Sequence, residues 1–368
     1  MPEIRLEELS KSFDGTVAAD GMNLTVKDGE YLCILGPTGS GKTTCMRMIC
    51  GLTVPDSGRI FFNDEDITDK PSDAREATML SQTYALFPKM TVAENVGFAP
   101  KIKNWPENDA EQIVKSMLDM VGMSHKRDWM PKNLSGGQQQ RTALARAMAS
   151  GSKVLLLDEP LRALDARLRL NLRKELRSLV KGMELTCIHV THDQDEALEM
   201  ADRIAIIRNG KIIQVGTPEE IFNEPNSPFV ANFVGRSNIL RGTVVSKGDV
   251  SVAELADGTR VEVRSTDLEI GSKVLVTVKM GKTRFVQEDK AEAENVNTFL
   301  RGKIERILYE GATITAEARV EGIGIVSSKM PNRKYDMYEV GEEILIYWIP
   351  HNAILFEDTG SDEDSEVF

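Results

Sequence analysis

The sequence predicts an α/β fold with a phosphate-binding loop on a parallel sheet, followed by a β-rich second region. Three observations lead there. The first is the stretch Leu32-Cys33-Ile34-Leu35-Gly36-Pro37-Thr38-Gly39-Ser40-Gly41-Lys42-Thr43-Thr44, which reads strand, tight loop, helix start. Tyr31 to Leu35 is a short apolar run suited to a buried parallel strand. Gly36 to Thr43 then meets every defined position of the pattern G-x-x-x-x-G-K-[ST]. The second is Lys153 to Pro160, an apolar strand ending in Asp158 and Glu159. The third is a change after Gly235, where strand-helix alternation gives way to short strands separated by turns.

Chemistry explains the spacing in the first stretch. Glycines let the backbone curl so that successive N–H groups point at an anion. The helix that follows turns its positive dipole end toward the same place. Lys42 can reach the β- and γ-phosphates as a point charge, and the Thr43 hydroxyl can ligate Mg²⁺. In an open parallel sheet, ligands bind at the carboxyl ends of strands. Asp158 is therefore placed to hold the Mg²⁺ shell, and Glu159 to orient or deprotonate water.

Composition narrows the class. The chain has 368 residues, room for two or three domains. A net charge of −12 argues against a general nucleic-acid binder. No apolar run approaches the roughly 18 residues that span a bilayer. Met1-Pro2-Glu3-Ile4-Arg5 does not read as the start of a signal peptide, so membrane association is expected through a partner. The cysteines Cys33, Cys45, Cys50 and Cys187 have no zinc spacing and are expected as buried free thiols. The acidic run 357–368 is expected to be a solvated, disordered tail.

In chain order, Glu3 to Leu9 begins with strand-like alternation, and Phe13 lies on the loop Lys11 to Gly15, where an aromatic can stack on adenine. A helix is expected through Leu52, then a turn at Pro55 to Gly58 and a strand at Ile60 to Phe62. Gln82 ends an apolar run and enters the loop Tyr84 to Pro88. Val92 to Met123 reads as helical, broken at Pro100 and Pro106, with Ile113, Met117, Leu118 and Val121 on one apolar face. In Leu134 to Arg141, Ser135 can cap a helix carrying Leu144, Ala147 and Met148. Gly136 and Gly137 leave N–H groups open there, although alone a plain Ser-Gly cap is the simpler reading. Arg167 to Lys181 reads as an amphipathic helix, and Thr186 to His192 as a buried strand ending at a histidine. Arg208 to Lys211 reads as a hairpin turn. In the β-rich region, Leu240-Arg241-Gly242 recurs as Leu300-Arg301-Gly302, and Gly271 to Val276 resembles Gly341 to Ile346. An internal duplication is expected, each half suited to a small five-stranded barrel.

Four separated motifs in one order now agree, and the chain resembles the ATP-binding subunit of an ABC importer, in the branch that carries a C-terminal TOBE domain. The resemblance implies an ABC-type P-loop ATPase domain with a helical subdomain over 1–235, a β-rich OB-like domain over 236–356, and the acidic tail. It also implies roles. Phe13 is the adenine-stacking aromatic, and Gly36, Pro37, Thr38, Gly39, Ser40, Gly41, Lys42, Thr43 and Thr44 form Walker A. Gln82 is the Q-loop glutamine near Mg²⁺, water and the membrane subunit. Asp158 and Glu159 are the Walker B pair, with Glu159 the catalytic carboxylate. Asp165 is the D-loop aspartate and His192 the switch histidine. Ser135, Gly136, Gly137 and Gln138 belong to the signature motif, which touches the nucleotide of a second copy. The implied cofactors are ATP and Mg²⁺. The implied partners are a second copy, permease subunits reached by the loop after Gln82 and, indirectly, a solute-binding protein, with no nucleic acid. The implied place is the cytoplasmic face of the cell membrane.

Two departures stand out. Arg162 occupies a D-loop position where the family usually has a small serine, and Lys279-Met280-Gly281 stands where many relatives read Arg-Pro-Glu. A guanidinium at 162 can pair across an interface, raise the potential near the phosphates or point to water. The run Gln138 to Arg141 and the segment Tyr347 to Pro350 resemble the polyamine-type branch more than the sugar or glycerol-phosphate branches. Soluble ABC proteins of repair or translation would need a long coiled-coil insertion or a second cassette, which the sequence does not display. A metabolite kinase would have no need of the signature motif, and a purely regulatory binding protein no need of Glu159 and His192.

Overall fold

The computed structural model describes residues 2–162, 164–290 and 298–360. It contains two compact units, Met1–Ile221 and Phe222–Phe368.

The first unit is built from two sheets. In chain order it has β1 (Ile4–Phe13), β2 (Thr16–Val26), β3 (Tyr31–Leu35), α1 (Lys42–Ile49), β4 (Ser57–Phe62), β5 (Glu65–Asp66) and β6 (Ala77–Leu80). The helices α2 (Val92–Val96), α3 (Phe98–Ile102), α4 (Glu107–Met120) and α5 (Gly136–Met148) follow. Then come β7 (Val154–Asp158), α6 (Ala166–Gly182), β8 (Thr186–Val190), α7 (Gln194–Met200), β9 (Arg203–Arg208), β10 (Lys211–Gly216) and α8 (Pro218–Asn223). One sheet has the order β10-β9-β3-β8-β7-β6, parallel except for the edge strand β10. The other, β2-β1-β4-β5, is antiparallel. Every residue of β3, β7 and β8 is buried, which is why these strands read as unbroken apolar runs. A single core joins Ile4, Leu6 and Ile60 of the antiparallel sheet, Met46 and Ile49 of α1, and Leu156, Ile188 and Ile207 of the parallel sheet. The carboxyl ends of β3, β6, β7 and β8 therefore deliver their loops to one edge.

Several local expectations are corrected. The helix after the phosphate loop stops at Ile49, because Gly51 turns into the left-handed region at φ 77° and leaves Leu52 exposed. Pro100 does not break a helix. It sits in the first turn of α3, where its missing N–H costs nothing, and the break falls at Gly97. On α4 the buried residues are Val114, Met117 and Leu118, with Ile113 only half-buried. Phe13 is the last residue of β1 rather than part of a loop, and β8 ends two residues before His192. All four cysteines are free and buried, as expected.

The second unit begins with α9 (Pro228–Phe233) and continues with β11 (Ser237–Ser246), β12 (Val250–Leu255), β13 (Arg260–Arg264), β14 (Lys273–Lys279) and β15 (Arg284–Val286). The other strands are β16 (Leu300–Glu310), β17 (Thr313–Val320), β18 (Gly324–Pro331), β19 (Glu343–Tyr347) and β20 (Ala353–Glu357). The division falls before the expected Gly235, because α9 packs on β11 and β14. Lys279 fastens that contact. Its Nζ donates to Ala231 O at 2.8 Å and to Val234 O, and it stands 4.7 Å over the Phe222 ring.

Burial pushes the Lys279 ammonium down to about 8. The folded chain then binds fewer protons than the unfolded chain between about pH 8 and the ordinary lysine value near 10.4, so stability rises with pH across that window and is lost below it. Thermal melts should show wild type gaining on Lys279→Met by a few degrees between pH 7 and pH 10. A constant difference between the two proteins would remove Lys279 as the titrating group.

The duplication is present in the hydrogen-bond register. Leu240, Arg241 and Gly242 face Val276, Leu275 and Val274, and Leu300, Arg301 and Gly302 face Ile346, Leu345 and Ile344. Gly271 N donates to Val244 O at 2.8 Å, and Gly341 N to Ile304 O at 2.7 Å. Both glycines are left-handed, with φ 94° and 93°. Each half contributes to a five-stranded sheet, in the orders β13-β12-β11-β14-β20 and β15-β19-β16-β17-β18. The fifth strands are exchanged: β15 follows β14 in the chain but pairs with β19, and β20 follows β19 but pairs with β14. The acidic run starts inside this structure. Glu357 ends β20, and Asp358 pairs with Arg241 at 3.4 Å, so these residues are not part of a loose tail. Residues 361–368 of the expected tail lie outside the described residues.

Candidate nucleotide-binding and hydrolysis site

The phosphate loop joins β3 to α1, and two of its glycines are sterically required. A Cβ on Gly36 would lie 2.1 Å from Ile207 O, and one on Gly41, at φ 103°, 2.0 Å from Ala18 O. Ser40 is buried, its N–H donating to Pro37 O at 3.2 Å and its carbonyl accepting from Gly210 N at 3.1 Å. Lys42 folds back into the loop, with Nζ donating to Gly36 O at 2.9 Å and Pro37 O at 2.7 Å. Thr38, Gly39, Gly41, Lys42, Thr43 and Thr44 line one wall of a cavity of about 720 Å³, and Gln82, Glu159, Arg162 and His192 line the other.

Electrostatics define what this cavity wants. Burial lowers the Lys42 ammonium from its ordinary range, against the pull of Glu159 and Asp158. Burial also raises the Asp158 carboxyl, against the hydrogen bond from Thr43, and the charge of Glu159 adds to the rise. Thr43 Oγ1 donates to Asp158 Oδ2 at 3.0 Å. A buried cation and a buried carboxylate each gain from an opposite charge, so a polyanion with a metal ion complements both. Among the described residues no three His, Cys, Asp or Glu side chains gather as a self-sufficient metal site. The neighbouring Thr43 hydroxyl and Asp158 carboxylate are hard oxygen donors of the kind that Mg²⁺ takes.

Glu159 is the centre of the polar wall. It is 8% exposed and left-handed at φ 51°, and its N–H donates to Val190 O at 2.9 Å. His192 Nε2 lies 2.6 Å from Oε1. Gln82 Nε2 at 3.1 Å and Arg162 Nη1 at 2.7 Å both donate to Oε2. The structure thus brings Gln82, Arg162 and His192 together on the Glu159 carboxylate. Within this chain the partner of Arg162 is Glu159.

Other expected site residues stand apart from this cavity. Phe13 is 45% exposed, with Lys11 Nζ 5.5 Å from its ring centroid. Ser135 caps α5 through a reciprocal pair with Gln138, at 3.4 Å from Gln138 N to Ser135 Oγ and 3.1 Å from Ser135 N to Gln138 Oε1. Gly136 is exposed and Gly137 half-buried at the same helix start. Asp165 caps α6, accepting from Leu168 N at 3.0 Å.

Three supporting residues, Gln140, Glu196 and Asp193, are not singled out by the sequence. Gln140 is fully buried, and its Nε2 donates to Glu159 O at 3.2 Å and Pro160 O at 2.7 Å, tying α5 to the turn that carries the carboxylate. The signal was its place four residues before Leu144, on the buried stripe of α5. Glu196 accepts from Thr191 Oγ1 at 2.7 Å, and Asp193 pairs with Arg173 at 2.6 Å, fixing both neighbours of His192.

A buried P-loop lysine, a Thr–Asp pair and a carboxylate held at a strand end make the first unit a P-loop nucleotide hydrolase. The model of the family described as ABC transporter matches residues 19–162, and that of the TOBE domain matches 282–356. The "Spermidine/putrescine import ATP-binding protein PotA" of Vibrio cholerae is 38% identical over 362 residues, 97% of this chain and 95% of that protein. The protein of the same name from Thermobifida fusca is 39% identical over 360 residues, 96% of this chain and 93% of that one. A solved dimeric ATP-binding cassette in a post-hydrolysis state bound to ADP and Pi aligns with TM-score 0.55 at 28% identity, covering 58% of this chain and 98% of that one. The chain belongs to the ABC transporter family, and it is an ABC ATPase with a TOBE domain. Among the described residues no helix is long and apolar enough to cross a membrane.

Proposed function

We propose that this chain is the ATP-hydrolysing subunit of a polyamine importer, working as a pair of copies on the cytoplasmic face of the cell membrane. The observation that carries the hydrolytic reading is Glu159, held on both oxygens beside the phosphate loop. Lys42 exchanges its loop carbonyls for the β- and γ-phosphates. Thr43, Asp158 and Gln82 would hold Mg²⁺, which would neutralise phosphate charge. Glu159 orients water and accepts its proton as the water oxygen bonds the γ-phosphorus and the bond to the β-bridging oxygen breaks, giving ADP and phosphate. His192 holds the carboxylate during that step. Phe13 receives the adenine. Ser135, Gly136, Gly137 and Gln138, on the surface and away from this chain's own cavity, act on the nucleotide of the second copy, with Asp165 at the same interface.

Polyamine cargo is supported by the names of the full-length relatives. The test is uptake of labelled spermidine and labelled maltose by cells lacking this chain and complemented with it. Loss and recovery of spermidine uptake alone is the expected result. Loss of maltose uptake alone would move the chain to the sugar branch.

The permease is reached through the loop after Gln82. Tyr84 and Ala85 are left-handed at φ 59° and 36°, and Arg146 holds both of their carbonyls at 3.0 Å. Arg146 also lies over the Phe87 ring at 5.2 Å. Consecutive strained residues so pinned are characteristic of a functional loop. Cysteines placed singly at 83–91 should cross-link to a cytoplasmic segment of the permease. A scan without any permease product would remove this loop as the docking site.

A further inference from the structure

Arg162 has a place in the site that no family role assigns. It lies three residues after Glu159 and turns back on it, with Nη1 2.7 Å from Oε2. The turn is fixed at both ends. Arg162 N donates to Glu159 O at 3.4 Å, and Arg169 Nη2 donates to Arg162 O at 3.4 Å and Leu164 O at 3.0 Å. Oε2 also accepts from Gln82, while Oε1 is taken by His192. Three donors therefore occupy a carboxylate with about four lone-pair sites. Gln82 and Tyr84 share one loop, and Tyr84 lies within the field of Arg162, whose charge opposes the rise that burial gives its phenol.

We propose that Arg162 is a latch on Glu159, a positioning residue that holds Oε2 and keeps basal ATP hydrolysis by this chain slow. The inference rests on Glu159 being the base of the proposed mechanism. With Gln82 and Arg162 both on Oε2, that oxygen has no lone pair left for a water proton until the charge-assisted bond from Arg162 opens. The guanidinium is 65% exposed while the carboxylate is 8% exposed, so the latch opens outward to solvent without disturbing the core. Because Gln82 holds the same oxygen, movement of its loop reaches the latch directly. The brake is modest, because water competes for the exposed partner.

The test uses the full chain with ATP and Mg²⁺, comparing wild type, Arg162→Ser and Arg162→Lys. Arg162→Ser should raise basal kcat about three- to tenfold and leave KM within about twofold, the pattern of a group acting on the chemical step. Arg162→Lys, which keeps a cation without the planar fork, should fall between the two. A structural role alone would move thermal stability but not kcat. Turnover in Arg162→Ser from an otherwise silent wild type would support a complete latch. An unchanged or lower kcat in Arg162→Ser, with wild type active, would overturn the latch and leave the hydrolase reading standing. No turnover in any of the three proteins would overturn both.

Discussion

Glu159→Gln is expected to bind ATP normally and to turn it over at least about a hundredfold more slowly than wild type. The substitution is nearly isosteric, and the backbone that positions it is untouched. Its N–H still donates to Val190 O, and Gln140 still holds its carbonyl. Lys42 and the Thr43–Asp158 pair are also intact, so binding is preserved. What is lost is an oxygen pair able to accept from His192, Gln82 and Arg162 and then take a proton from water. If hydrolysis reopens the dimer, the variant should accumulate as a closed pair with ATP trapped. Size-exclusion chromatography with labelled ATP would read both properties at once. Turnover at the wild-type rate would remove Glu159 from the chemistry.

A mixed dimer should separate sites made within one chain from sites shared between chains. One subunit carries Lys42→Ala, which removes the phosphate cation. The other carries Ser135→Arg, which fills the exposed start of α5. Losing the cap costs about 1 kcal/mol, too little to unfold the unit. If Ser135 serves the partner's nucleotide, both lesions fall in one site and the other stays intact. The dimer should then trap one ATP and retain roughly half of wild-type activity, if its two sites turn over independently. If Ser135 served its own subunit, each site would carry one lesion and trapping would vanish. Two fully active sites would show that neither residue belongs to the machinery.

The parts of the site legible in the sequence are those whose spacing the backbone dictates. The phosphate loop must place glycines where Ile207 O and Ala18 O leave no room for a Cβ, so its pattern survives in one dimension. β3, β7 and β8 are buried on both faces and read as apolar runs. The partners of Glu159 were not legible as a set, because they arrive from separate segments around positions 82, 162 and 192, and a sequence does not state which way Arg162 turns. In the second unit the strand period is least legible in β15 and β16. β15 spans three residues, and β16 carries charges on a largely exposed surface, which blurs the period of two.

The exchange of fifth strands between the two halves of the second unit has a consequence for how the chain reaches its native state. The edge of β14 stays open until β20 arrives, some 75 residues beyond the end of their ladder at Val278 and Ala353. Closing so long a loop is slow, because its entropy is spent before the pairing rewards it. During that wait β14 offers unpaired backbone groups to any strand of matching register. The nearest match in a concentrated solution is β20 of a second molecule. Two chains trading that strand would rebuild every native contact while tying their second units together. The duplication therefore makes the two halves mutually dependent for folding and leaves domain swapping as their natural misassembly.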